Sequence, residues 1–132
     1  AIILGPKGER RVELSQFMES AFETALDFND ILTAIRIPKF SDKARWGFYK
    51  FCRKTGEFAE AMSAIVVDPT RDVCRVVIGA TDTRPVVITD ARQLLSSNEA
   101  INAVIEKHSL NEDPLSAQMH RTALLRTIEQ VR

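Results

Sequence analysis

Between Arg45 and Arg53 the chain reads RWGFYKFCR. Four aromatic residues in this run, with no proline among them, favour a β-strand. Side chains alternate across a strand, so Lys50 shares a face with Trp46 and Phe48. A lone cation buried among aromatic rings is costly. An anionic or electron-rich group is therefore expected to meet that ammonium. A flat ring that takes up negative charge on reduction meets the requirement.

Strand signals continue on both sides. Ile31–Ile37 alternates loosely, is rich in Ile and Thr, and is stopped by Pro38. Ala61–Val67 and Val73–Ala80 read as two further strands joined by a five-residue hairpin loop, Asp68–Asp72. Cys74, Val76 and Ile78 then share one face. Arg84–Ile88 is a short strand or an extended arm. Upstream, Leu14, Phe17, Met18, Ala21, Phe22, Ala25 and Leu26 form an amphipathic stripe that predicts a helix over Glu13–Leu26.

The remainder is helical. Asp90 is placed to cap a short helix carrying Leu94 and Leu95. Asn98 is placed to cap a second helix with Ile101, Val104 and Ile105 on its buried stripe. Asp113-Pro114 supplies the N-cap and first residue of a third, whose stripe is Ala117, Leu124, Ile128 and Val131. Strands first and helices afterwards predict an α+β fold. The expected architecture is an antiparallel sheet of three to four strands, with about three C-terminal helices on one face and an N-terminal helix.

A length of 132 residues fits one domain with a modest core. Lys plus Arg and Asp plus Glu each total 18, so the net charge is zero and a general polyanion binder is disfavoured. Lys39, Lys43, Arg45, Lys50, Arg53 and Lys54 nevertheless cluster, with Asp42 as the one acid before Glu57. Cys52 and Cys74 sit in apolar strand patterns and read as buried free thiols of a reducing compartment. No CxxC pair offers zinc or an iron–sulfur cluster its ligands. No signal peptide or membrane-length apolar run is present, and a cytoplasmic location is expected. Ala1–Leu4, AIIL, lacks an initiator Met and reads as the end of a strand whose sheet lies in a missing part of a longer polypeptide.

The order of these features resembles a known family. ILTAIRIP, a basic turn, FYKFCRK, a GEFA link and a second apolar strand follow GPKGERR at Gly5–Arg11. This series is similar to the C-terminal part of the FAD-binding (medium) subunit of the molybdenum hydroxylases, the family of carbon monoxide dehydrogenase and xanthine dehydrogenase. The resemblance implies a division into residues 1–28, the connection from the FAD domain with an N-terminal helix, and residues 29–132, the α+β domain. It also implies a helix shorter than the stripe predicts, followed by an extended approach to the next strand. It implies an electron-transfer role in an oxidoreductase whose molybdenum cofactor and [2Fe–2S] clusters sit on partner subunits. An upstream FAD domain, a molybdenum-containing large subunit and an iron–sulfur small subunit are the implied partners.

By the same resemblance Leu32, Lys50 and Phe58 are the cofactor-binding residues. Lys50 lies beside the flavin ring, Leu32 packs against it, and Phe58 stands near its reactive edge. Glu57 matches an acidic position in several relatives. Beside these stand bland readings: Lys50 as a sheet-edge lysine with its amine in water, Leu32 as core, Phe58 as a loop anchor. Arg53, Lys54 and Arg84 are candidate phosphate or partner contacts whose default is a solvated face. His108, near a helix C-terminus where a partly protonated ring suits the dipole, and His120 carry no catalytic signature. With five glycines and no Gly-rich phosphate loop, the chain is expected to form one wall of a flavin site and to bind FAD weakly alone. The alternatives are a non-catalytic protein–protein interaction module and, against the neutral charge, a binder of single-stranded nucleic acid.

Overall fold

In the computed structural model, which describes residues 1–81, 83–108, 110 and 113–132, the chain forms two units. One is Ala1–Lys39 with a short segment ending at Pro85; the other is Phe40–Thr81 with Val86–Arg132.

The first unit begins with a hairpin of β1 (Ile2–Gly5) and β2 (Gly8–Arg11). Gly8 adopts φ 105°, a left-handed value that a side chain would resist. The helix α1 is one turn, Leu14–Phe17. A small hairpin follows, β3 (Met18–Ser20) with β4 (Glu23–Thr24). The strand β5 (Ile31–Ala34) pairs with β1, giving the order β2-β1-β5. Ile3 is completely buried. Asp30 accepts from the Arg10 guanidinium at 2.6 Å and from the Asp27 amide at 3.0 Å, and these bonds hold its carboxyl below the usual range.

Two expectations fail here. AIIL is the middle strand of its sheet, paired on both sides, so its sheet is present. The stripe over Glu13–Leu26 is helical only to Phe17. Leu14, Met18 and Phe22 are exposed while Phe17 is buried, so most of the stripe has nothing to pack on, and a helix without a continuous buried face is marginal. Phe22 instead takes φ 65° at the β3–β4 turn.

The second unit carries the antiparallel sheet β6 (Arg45–Phe51), β7 (Ala61–Asp68), β8 (Val73–Gly79) and β9 (Val86–Ile88), in that order. A 3₁₀ turn (Arg92–Leu95), α2 (Asn98–Lys107) and α3 (Pro114–Glu129) follow. The fold is α+β, with strands and helices in the expected order. Ile65, Cys74, Val76 and Ile78 meet Leu94, Ile101, Ile105, Leu124 and Ile128 in one core. Gly47 lets α3 approach β6: a Cβ there would stand 2.5 Å from the Thr127 carbonyl oxygen and 3.0 Å from Gln130 Cβ. Ser63 and Thr127 hydroxyls hydrogen-bond at 2.6 Å across the β7–α3 contact, so neither is left unsatisfied in the core.

The caps shift by one residue from the sequence reading. Ser97, extended, accepts from the Ala100 amide at 3.1 Å, and Asn98 is the first helical residue. Ala91 occupies the N-cap of the 3₁₀ turn, while Asp90 accepts from the Arg92 amide and pairs with its guanidinium at 2.9 Å. Asp113 caps α3 as expected, accepting from the Ser116 amide at 2.8 Å.

Both cysteines are free. Burial pushes the Cys74 thiol up, and Cys52 is half-buried. The thiolate is the reactive form. An aromatic disulfide reagent is therefore expected to label Cys52 in the native chain and to reach Cys74 only after denaturation. Equal labelling rates for the two thiols in native protein would overturn this.

Candidate functional site

The sheet of the second unit has two unlike faces. Gly47, Ile65, Val76 and Ile78 point into the core. The register puts Trp46 opposite Val66, Phe48 opposite Ala64 and Lys50 opposite Met62 on the other face. Trp46 is 73% exposed and Phe48 48%. Lys50 does share their face, but it is exposed rather than buried. The desolvation cost expected from sequence is absent because the side chains at this end of β6, Trp46 and Phe48 as well as Lys50, are exposed. A backbone group meets the ammonium instead: Lys50 Nζ donates to the Glu57 carbonyl at 2.5 Å.

That contact ties β6 to the loop that follows it. Lys54 donates its amide to Glu57 Oε2 at 3.2 Å, and Arg53 pairs with Glu60 at 2.9 Å. Phe58, the next residue after Glu57, is 85% exposed. Lys50 and Phe58 are thus brought to one loop-and-strand corner of the second unit. Leu32 lies in the first unit, on β5 opposite Ile3, and is exposed. Arg84 pairs with Glu19 at 3.4 Å. Among the described residues no group of three His, Cys, Asp or Glu is placed to hold a metal ion. No helix there is long and apolar enough to cross a membrane.

Some contacts of the second unit were not foreseen. The Arg126 guanidinium lies 4.9 Å from the centroid of the Tyr49 ring and donates to its hydroxyl at 2.6 Å. Both residues are visible in the sequence, but they are far apart in it and no periodicity pairs them. His120 is buried on α3, its Nδ1 3.0 Å from the Ser116 carbonyl oxygen and its Nε2 without a hydrogen-bond partner among the described residues. Burial, and secondarily the Lys107 charge, lower the His108 pKa, so its ring favours the helix end less than expected.

The second unit is thus an antiparallel α+β fold with an exposed cation beside exposed aromatics on one face of its sheet. Comparison finds relatives of the chain among dehydrogenase subunits. The chain is related in sequence to the carbon monoxide dehydrogenase medium chain of Hydrogenophaga pseudoflava, 31% identical over 88 residues, which is 66% of this chain and 31% of the relative. The medium chain from Afipia carboxidovorans is 33% identical over 72 residues, 54% of this chain and 25% of the relative. The caffeine dehydrogenase subunit beta of Pseudomonas sp. (strain CBB1) is 29% identical over 83 residues, 61% of this chain and 28% of that subunit. The chain thus spans about a third or less of the length of these relatives. No family profile matches it.

The fold agrees. A structure of the Hydrogenophaga pseudoflava carbon monoxide dehydrogenase lacking the Mo-pyranopterin moiety superposes over 98% of this chain and 51% of the other, with a TM-score of 0.79 and 22% identity. Quinoline 2-oxidoreductase from Pseudomonas putida 86 matches over 98% of this chain and 50% of the other, with a TM-score of 0.68 and 20% identity.

Proposed function

We propose that this chain is the C-terminal domain of the FAD-containing subunit of a molybdenum hydroxylase-type oxidoreductase, where it covers part of the flavin and braces the FAD domain. The observation that carries this reading is the sequence relation to medium chains joined to a fold match over 98% of the chain. The complete enzyme would draw on a molybdenum-containing large subunit and an iron–sulfur small subunit. The FAD, when bound, takes up electrons and passes them to an acceptor. Residues of this chain fit such a ring: an exposed ammonium at Lys50, flanked on its face by exposed Trp46 and Phe48, and an exposed Phe58 on the adjoining loop.

The separate roles follow from chemistry. Lys50 places positive charge where the reduced ring gains negative charge, which favours the reduced state. Phe58 shields the ring edge from water and bulk solutes. Leu32 supplies an apolar contact. The glycine-rich loops that cradle the FAD pyrophosphate would come from the upstream domain.

Two measurements test this. Titrating the purified 132-residue chain with FAD, followed by flavin fluorescence, should give weak binding; sub-micromolar affinity contradicts the division of labour. In the assembled enzyme, Lys50→Met should move the flavin midpoint potential to a more negative value. An unchanged potential removes Lys50 from the site.

A further inference from the structure

A sheet edge is a template for strand addition unless something blocks it. β6 is such an edge: β7 pairs with one side, and no described strand pairs with the other. Its seven residues include exposed Trp46 and Phe48 and no proline. One side chain occupies the open side. Gln130 Oε1 accepts from the Phe48 amide at 3.1 Å, and Gln130 Nε2 donates to the Phe48 carbonyl at 3.1 Å. A third bond fixes this amide, since Nε2 also donates to the Arg126 carbonyl at 3.1 Å. Gln130 thus makes the two bonds that a neighbouring strand would make.

The alternation of the ladder tells which other groups point outward. In an antiparallel strand the N–H and C=O of one residue point the same way, and neighbours alternate. The Phe51 carbonyl accepts from the Glu60 amide at 2.9 Å, on the β7 side. Phe48 points the other way, and by alternation so do Trp46 and Lys50. Phe48 is the central one of three outward positions, and Gln130 fills it.

We propose that β6 is a self-pairing edge held closed by Gln130, and that the strand it fits is β6 of a second copy. Two-fold antiparallel pairing centred on Phe48 makes Phe48 face Phe48 as a hydrogen-bonded pair, which needs the very N–H and C=O that Gln130 now holds. The same register sets Trp46 against Lys50 of the second copy, twice. Directly opposed residues lie on one face within contact distance. An ammonium over an indole is attractive, once Lys50 leaves the Glu57 carbonyl. The edge is therefore chemically complementary to itself, and Gln130 competes with that pairing.

The test is self-association of the chain by analytical ultracentrifugation. Gln130→Met keeps the side-chain length and removes both bonds. It should dimerise at least about tenfold more tightly than the parent chain, as expected for two lost competing hydrogen bonds. Adding Trp46→Lys, which sets like charges opposite each other, should reverse the gain. A folded Gln130→Met chain that associates no more than the parent overturns the proposal, as does a gain that Trp46→Lys leaves intact. Should Gln130→Met not fold, the parent chain carries the test with an excess of the peptide RWGFYKF. Slowed amide exchange at Trp46 and Lys50 supports β6 as the acceptor, and unchanged exchange overturns it.

Discussion

Asp68→Ala should lower the melting temperature by on the order of ten degrees near neutral pH. The Asp68 side chain is completely buried at the end of β7. Its oxygens accept from the Ser41 amide at 2.8 Å and the Ser41 hydroxyl at 2.6 Å. The Thr70 and Arg71 amides donate to it at 3.1 Å and 3.3 Å. One carboxylate therefore ties the segment before β6 to the β7–β8 turn. Alanine takes the carboxylate acceptor from the half-buried Ser41 and from the Thr70 amide, while the Arg71 amide keeps its bond to the residue 68 carbonyl.

The same site predicts a pH dependence. Burial alone would raise the Asp68 pKa, but the Ser41 hydroxyl and amide and the Arg71 and Thr70 amides outweigh it and hold it below its ordinary 3.8. A carboxylate whose folded pKa is depressed stabilises the fold above the unfolded value, and that contribution is lost as pH falls through the lower folded value. The parent chain should therefore lose stability below about pH 4 more steeply than Asp68→Asn. Thermal melts of both from pH 7 to pH 2.5 check this. Parallel curves would remove Asp68 as a source of acid sensitivity.

Gly47→Val should cost about 3 kcal/mol, at the upper end for overpacking a tight contact. The new Cβ would lie 2.5 Å from the Thr127 carbonyl, a backbone atom that cannot swing aside, and 3.3 Å from Ile65 Cγ2. Relief requires α3 to move off β6, which strains the Ser63–Thr127 and Arg126–Tyr49 contacts. Urea unfolding measures the loss. A change below about 1 kcal/mol would mean that the helix and sheet separate at little cost.

Three of the four strands of the second unit, β6, β7 and β8, were legible because alternation and β-branched content agree with burial, whereas β9 was left open between a short strand and an extended arm. Cys74, Val76 and Ile78 were assigned to one face, and all are buried. The Asp113-Pro114 start of α3 was legible because both residues have one physical use there. What misled was periodicity without a partner surface. The stripe at Glu13–Leu26 obeys the helical period, yet most of it meets no core, so local turn geometry won. Lys50 misled in a related way: alternation gave its face correctly, but alternation does not say whether anything covers that face. Gln130 and Arg126 escaped notice because their partners, Phe48 and Tyr49, are some eighty positions away in the chain.

The first unit buries few large side chains: Ile3 and Phe17 are its buried apolar residues among those described, while all four residues of β5 are exposed. Little hydrophobic free energy holds those strands in place, whereas the second unit is gripped by a dozen core side chains. Opening should therefore be graded along the molecule, with the amides of β1, β2 and β5 trading hydrogen for deuterium well before those of β7 and α3.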